Sequence, residues 1–232
     1  MHPLFIYLIK SSGLLIIFYF TYFFLLRKET FFVSNRWYLL VGLGTAVILP
    51  LLFYSQVIIV EPSARIIDWN KIPVVTNKEA AVFTINWYLV LEAIYGIGIL
   101  YLILRFSIEF YSLRNILKNK TIQRQANFKF IDTTDDIAPF SYFNTIVYNS
   151  AFYTASELAN IIEHEKIHCN QKHTMDVLIS RVFCILFWFN PFIWLYKKSI
   201  IQNLEFIADH EATKKNSRQK SLSNYSFEDY NT

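Results

Sequence analysis

His164-Glu165-Lys166-Ile167-His168 has the form HExxH. On a helix, side chains at i and i+4 project from one face, so His164 and His168 can grip one metal ion. Glu165 then sits beside the ion, placed to take a proton from an activated water. An amphipathic helix that merely carries two histidines has the same five residues, so the string needs a third ligand. Glu205-Phe206-Ile207-Ala208-Asp209 offers one, 37 positions after His168. Glu205 and Asp209 again share a helix face, which suits a carboxylate ligand to Zn2+ and a second carboxylate holding a ligand histidine from behind. Cys169 adjoins His168 but points about 100° away around the helix. With Cys184 it makes two cysteines, read as free and structural; two cannot form a disulfide framework.

The elements that must position these residues are unusual for a soluble protein. The 232 residues are 54% hydrophobic and 18% aromatic, with only 17% charged, which points to a membrane protein. Residues 3–26 hold one charge, Lys10; residues 37–60 hold none; residues 82–104 hold only Glu92. Each stretch is long enough to cross a bilayer core at about 1.5 Å per residue. No small-residue cleavage site follows the first, so it reads as a retained anchor. Glu92, in mid-span, is a functional candidate or the partner of Lys10 or Arg181 in a helix bundle.

The connecting segments set the orientation. The first carries Arg27, Lys28 and Arg36 against Glu29, whereas the second, residues 61–81, is balanced. After the third span come Arg105, Arg114, Lys118, Lys120, Arg124 and Lys129, opposed only by Glu109. The positive-inside rule puts the first loop and everything after Phe106 in the cytoplasm, with the HExxH helix at the inner membrane surface. Membrane lipid headgroups account for the basic run. No nucleic-acid recognition fold surrounds it, so no direct nucleic-acid contact is expected.

Residues 106–126 read as a helix leaving the membrane, with Phe106, Phe110, Leu113 and Leu117 at helical spacing. Residues 127–131 and 140–148 read as two short strands around a turn-rich DTTDDIAP. The second is a candidate cleft wall, because extended substrates add to exposed sheet edges; a hairpin packed on the HExxH helix has the same sequence. Thr154-Ala155-Ser156-Glu157 is a capping box that starts the HExxH helix, which is expected to run to about His173.

One conflict sharpens the architecture. Residues 177–196 are apolar enough for a fourth span, which would carry Glu205 to the far side from His164 and His168. Three ligands must lie within about 2 Å of one ion. Asn190-Pro191 falls in the middle of the segment, and proline breaks a helix at the residue before it. The two arms are near equal, roughly 24 Å each, so 174–205 is predicted to be a helical hairpin, dipping into the membrane or lying along it, that returns Glu205 to the site.

With HEKIH, FWFNPFIW (187–194) and the ExxAD string in hand, the chain resembles the BlaR/MecR-type membrane metallopeptidases. Residues 138–149 and 164–176 carry the resemblance further. It implies a mostly α polytopic membrane protein: a membrane domain (1–106) with three spans, then a small α+β gluzincin-like zinc protease domain (107–212). His164, His168 and Glu205 become zinc ligands, Glu165 the general base and Asp209 a support for a ligand histidine. His173 and Asp176 take supporting roles, since a fourth protein ligand would close the open position of a catalytic zinc. The resemblance implies a protein substrate, such as a winged-helix repressor, and a second copy of the chain is a further candidate partner. The antibiotic-sensing members also carry an extracellular penicillin-binding domain. Here residues 213–232 read instead as a disordered polar tail. A constitutive quality-control protease of the CAAX or heat-shock kind, or a scaffold that has lost catalysis, are the alternatives. Tyr142, Tyr148 and Tyr153 are unranked candidates for oxyanion donor.

Overall fold

The structure is a computed structural model that describes residues 3–52, 86–118 and 120–228. It is mostly helical, with one small sheet between the third and fourth helices. Helix α1 (Pro3–Thr21) runs into a π-helical turn, Tyr22–Leu26, and α2 spans Phe32–Leu52. Helix α3 spans Trp87–Lys118. These three are the helices among the described residues that are long and apolar enough to cross a membrane. Residues 53–60 of the expected second span and 82–85 of the third lie outside the described residues. Helix α3 continues through most of the helix expected to leave the membrane at 106–126, ending at Lys118.

Four strands follow, where two were expected: β1 (Ile122–Gln125), β2 (Phe128–Asp132), β3 (Phe140–Tyr142) and β4 (Thr145–Tyr148). Their order is β1-β2-β4-β3, with β2 and β4 parallel and the outer pairs antiparallel. Ile122-Gln-Arg-Gln125 has helix-compatible composition, but its backbone pairs with β2 through a turn at Ala126, which takes a φ of 51°. Ladder hydrogen bonds outweigh the weak local preference. The stretch 140–148 folds back on itself at Phe143, φ 51°, making β3 a sheet edge. Ile146 is fully buried and packs with Phe130 and Cys169, which fastens the sheet to helix α4.

Helix α4 (Ala155–Asn170) begins at the expected capping box: Thr154 Oγ1 accepts from the Glu157 backbone N–H, and Glu157 Oε2 accepts from the Thr154 N–H. It stops three residues short of the expected end. Lys172 sits in the left-handed region (φ 55°), and α5 (His173–Leu186) starts afresh. That break lets His173 fold back toward the helix it was expected to belong to.

The hairpin is present. Helix α5 ends in a turn at 187–189, and α6 (Pro191–Glu228) leads back. Asn190 Oδ1 accepts from the Phe192 N–H, and Pro191 occupies the first helical position, where a missing N–H costs nothing. Its tip packs deep among the apolar helices. Gly98 of α3 is required there, because a Cβ would lie 2.3 Å from the Trp188 ring. The Tyr95 hydroxyl donates to the Leu186 carbonyl at 2.9 Å. On the other side Tyr196, wholly buried, donates to the Leu39 carbonyl at 2.8 Å, and Gly42 makes room for its hydroxyl. Leu15, Leu39, Leu43, Phe187, Ile193 and Tyr196 form one core, so the hairpin is held by α1 and α2. The polar tail, expected to be disordered, extends α6 as far as Glu228; lengthening an existing helix avoids the cost of nucleation.

Candidate metal centre

Helix α4 presents His164 and His168 one turn apart, and the returning α6 brings Glu205 against them. The two Nε2 atoms are 3.1 Å apart. Glu205 Oε2 lies 3.3 Å from His164 Nε2 and 3.6 Å from His168 Nε2. Ligands held at 2.0–2.1 Å around a tetrahedral ion stand roughly 3.3 Å from one another. The cluster therefore has the dimensions and the donor set, two imidazoles and a carboxylate, that a metal ion needs. Hydrogen bonding to Glu205 raises the His164 pKa, and the two imidazoles hold Glu205 well below the usual carboxylate range.

Each histidine has a group behind it. Asp209, one turn after Glu205, places Oδ1 3.0 Å from His164 Nδ1. His173 places Nδ1 2.8 Å from His168 Nδ1, and its Nε2 is 3.2 Å from Gln171 Oε1. The tautomers follow by elimination. If His168 offers Nε2 to an ion, its Nδ1 carries the proton and donates to His173 Nδ1; His173 then donates from Nε2 to Gln171. Only a neutral His173 can do both. Burial, helped by the neighbouring His168 and Arg36, pushes its pKa down to about 3.

Asp176 stands further back than a supporting group would. Its carboxylate receives Arg36 Nε at 2.6 Å. Arg36 also donates from Nη2 to the Gln171 carbonyl at 2.8 Å and from Nη1 to Gln171 Oε1 at 3.3 Å. Arg36 and Gln171 were not among the residues singled out in the sequence. Arg36 counted only as a loop charge, yet it sits on α2 with its side chain 15% exposed. The available signal was a lone cation opening an apolar helix with no carboxylate within a turn. Arg181 meets Glu109 of α3.

Glu165 is 9% exposed and, among the described residues, makes no hydrogen bond. It lines two cavities that flank the cluster. One, of about 580 Å³, runs from Glu205 and His168 past the edge strand β3 to Arg181 and Lys197. The other, of about 640 Å³, lies toward His164 and Asp209. Pro139, just before β3, borders both, and the first cavity forms a groove alongside β3. Of the three tyrosines, Tyr142 lines this groove, whereas Tyr148 packs against the sheet core. Cys169 is buried beneath, and burial pushes its thiol up to about 11, so it offers no thiolate.

Membrane-length helices, a HExxH helix and a carboxylate returned by a hairpin together define a membrane-associated protein with a metallopeptidase type of site. Comparison with known proteins narrows the class: the chain belongs to the family described as BlaR1 peptidase M56, which matches residues 9–226. Regulatory protein BlaR1 of Bacillus licheniformis is 31% identical over 67 residues. That stretch is 28% of this chain and 11% of the relative, so only a small part of the relative's length is matched. Peptidase membership implies a protein substrate.

Proposed function

We propose that the chain is a membrane-embedded zinc endopeptidase that cleaves a cytoplasmic regulator, such as a transcriptional repressor. The observation that carries this reading is the spacing of His164, His168 and Glu205 at 3.1–3.6 Å, with Asp209 behind one histidine. Zinc held by these three would polarise the scissile carbonyl and acidify the attacking water. Glu165 accepts that water's proton and returns it to the leaving amine; its carboxylate makes no hydrogen bond among the described residues, which suits the role. Asp209 keeps His164 in the tautomer that exposes Nε2. The outer edge of β3, which among the described residues pairs with no further strand, can add the substrate as a strand beside the groove, with the scissile bond carried past Glu165. Regulation is supported by the likeness to a regulatory protein, and the basic segments around the site support a cytoplasmic face of a bacterial inner membrane.

The test is Glu165→Gln in the full chain in nanodiscs, assayed against a candidate repressor. Cleavage is expected to fall by about 10²–10⁴-fold with zinc stoichiometry unchanged. Undiminished cleavage overturns the mechanism, and a wild-type chain that binds no zinc overturns the enzyme reading in favour of a scaffold.

A further inference from the structure

The hydrogen bonds behind His168 do not end at His173; they continue to a membrane helix. From His168 Nδ1 the path runs to His173 Nδ1 at 2.8 Å, and from His173 Nε2 to Gln171 Oε1 at 3.2 Å. Arg36 Nη1, on the first turns of α2, reaches that same oxygen at 3.3 Å. Arg36 is itself fixed on both flanks, by Asp176 Oδ2 at 2.6 Å and by the Gln171 carbonyl at 2.8 Å.

We infer that Arg36 is a positioning residue for the metal site: acting through Gln171 and His173, it locks His168 in the tautomer that presents Nε2 to the ion. The chemistry of the chain of donors admits one direction. Guanidinium can only donate, so Gln171 must turn its oxygen, not its amide nitrogen, toward Arg36. The same oxygen then accepts from His173 Nε2–H, which leaves His173 Nδ1 as an acceptor. His168 must therefore carry its proton on Nδ1, and Nε2 is free to ligate. Were Gln171 to rotate its amide nitrogen inward, His173 would take the opposite tautomer and present Nδ1–H. His168 would then hold its proton on Nε2, where no ion can be bound. His164 has a carboxylate behind it, an unconditional acceptor; His168 has an ambiguous ring, and Arg36 removes the ambiguity. Because Arg36 belongs to α2, the arrangement of the membrane helices is joined to the readiness of the metal site.

This rests on the metal reading above, and the test separates the two. Zinc affinity of the full chain in nanodiscs is measured by competition with a chromophoric chelator, and cobalt(II) spectra report ligand geometry. Gln171→Leu, of similar volume and without an acceptor, is expected to weaken zinc binding by about 10–100-fold and to alter the cobalt bands. Gln171→Glu, which restores an acceptor, is expected within about threefold of wild type. Arg36→Met is expected to weaken binding on the wild-type background and to add little to Gln171→Leu, since both break one chain. Wild-type affinity in Gln171→Leu or in a folded Arg36→Met overturns the inference, as does a Gln171→Glu variant as weak as Gln171→Leu. If Arg36→Met fails to fold, the two Gln171 variants decide alone. A wild-type chain without measurable zinc or cobalt binding overturns the metal reading instead.

Discussion

At the scale of single residues, the proposed zinc site separates groups that would bind the ion from groups that would orient its ligands. His164, His168 and Glu205 converge within ligand spacing, while Asp209 and His173 stand one hydrogen bond behind. Removing an orienting group should cost affinity without abolishing the site. Asp209→Ala is expected to weaken zinc binding by about 10–100-fold with the cobalt spectrum still that of an N,N,O site. Asp176→Asn, which keeps an acceptor for Arg36, is expected to bind zinc nearly as wild type. Equal losses in the two variants would contradict the separation of roles. The two strings picked out side chains that the fold brings together, because i, i+4 spacing is a property of any helix. They could not rank Asp176 against His173, because that depends on where α5 begins.

At the scale of elements, the hairpin decides whether a site exists, since it alone returns Glu205. Its tip is held by close approach to α3 as well as by the Tyr95 hydrogen bond. Gly98→Val drives a side chain into Trp188 and is expected to destabilise the fold by about 1–3 kcal/mol. Trp188→Ala added to it should recover most of that loss; thermal unfolding of the purified double variant checks this. The sheet has its own fastening. Ile146→Ala opens a cavity between the sheet and α4 and should cost about 2–5 kcal/mol, read as early loss of amide protection in β2 and β4. If protection of β2 and β4 is unchanged, Ile146 is not the fastening.

At the scale of the whole molecule, the α1–α2 connection and the metal site share one side. Asn203 on α6 donates to the Phe32 carbonyl at 2.9 Å, and the Phe32 ring meets Phe206. Asn86 opens the opposite end of α3 from the residues that line the groove. Both native cysteines are buried, so introduced ones can be read cleanly. Cysteines at Glu29 and Ser217 are expected to react with a membrane-impermeant maleimide only from the cytoplasmic face, and one at Asn86 only from the other. Labelling of Glu29 and Asn86 from one face would overturn the topology.

What the sequence by itself determined is a candidate donor set and the need for a return. HExxH, ExxAD and Asn190-Pro191 are local patterns, and their meaning comes from helix geometry and the rigid ring of proline. The three apolar helices were legible for the same reason, since bilayer thickness acts on every residue of a span alike. Only the tertiary structure decided the rest. The strand at 122–125 exists because β2 lies beside it, and α4 ends at Asn170 because Lys172 turns His173 back on His168. Arg36 reaches Asp176 across 140 positions of chain. No window on the sequence contains that pair, and it ties a membrane helix to the metal site.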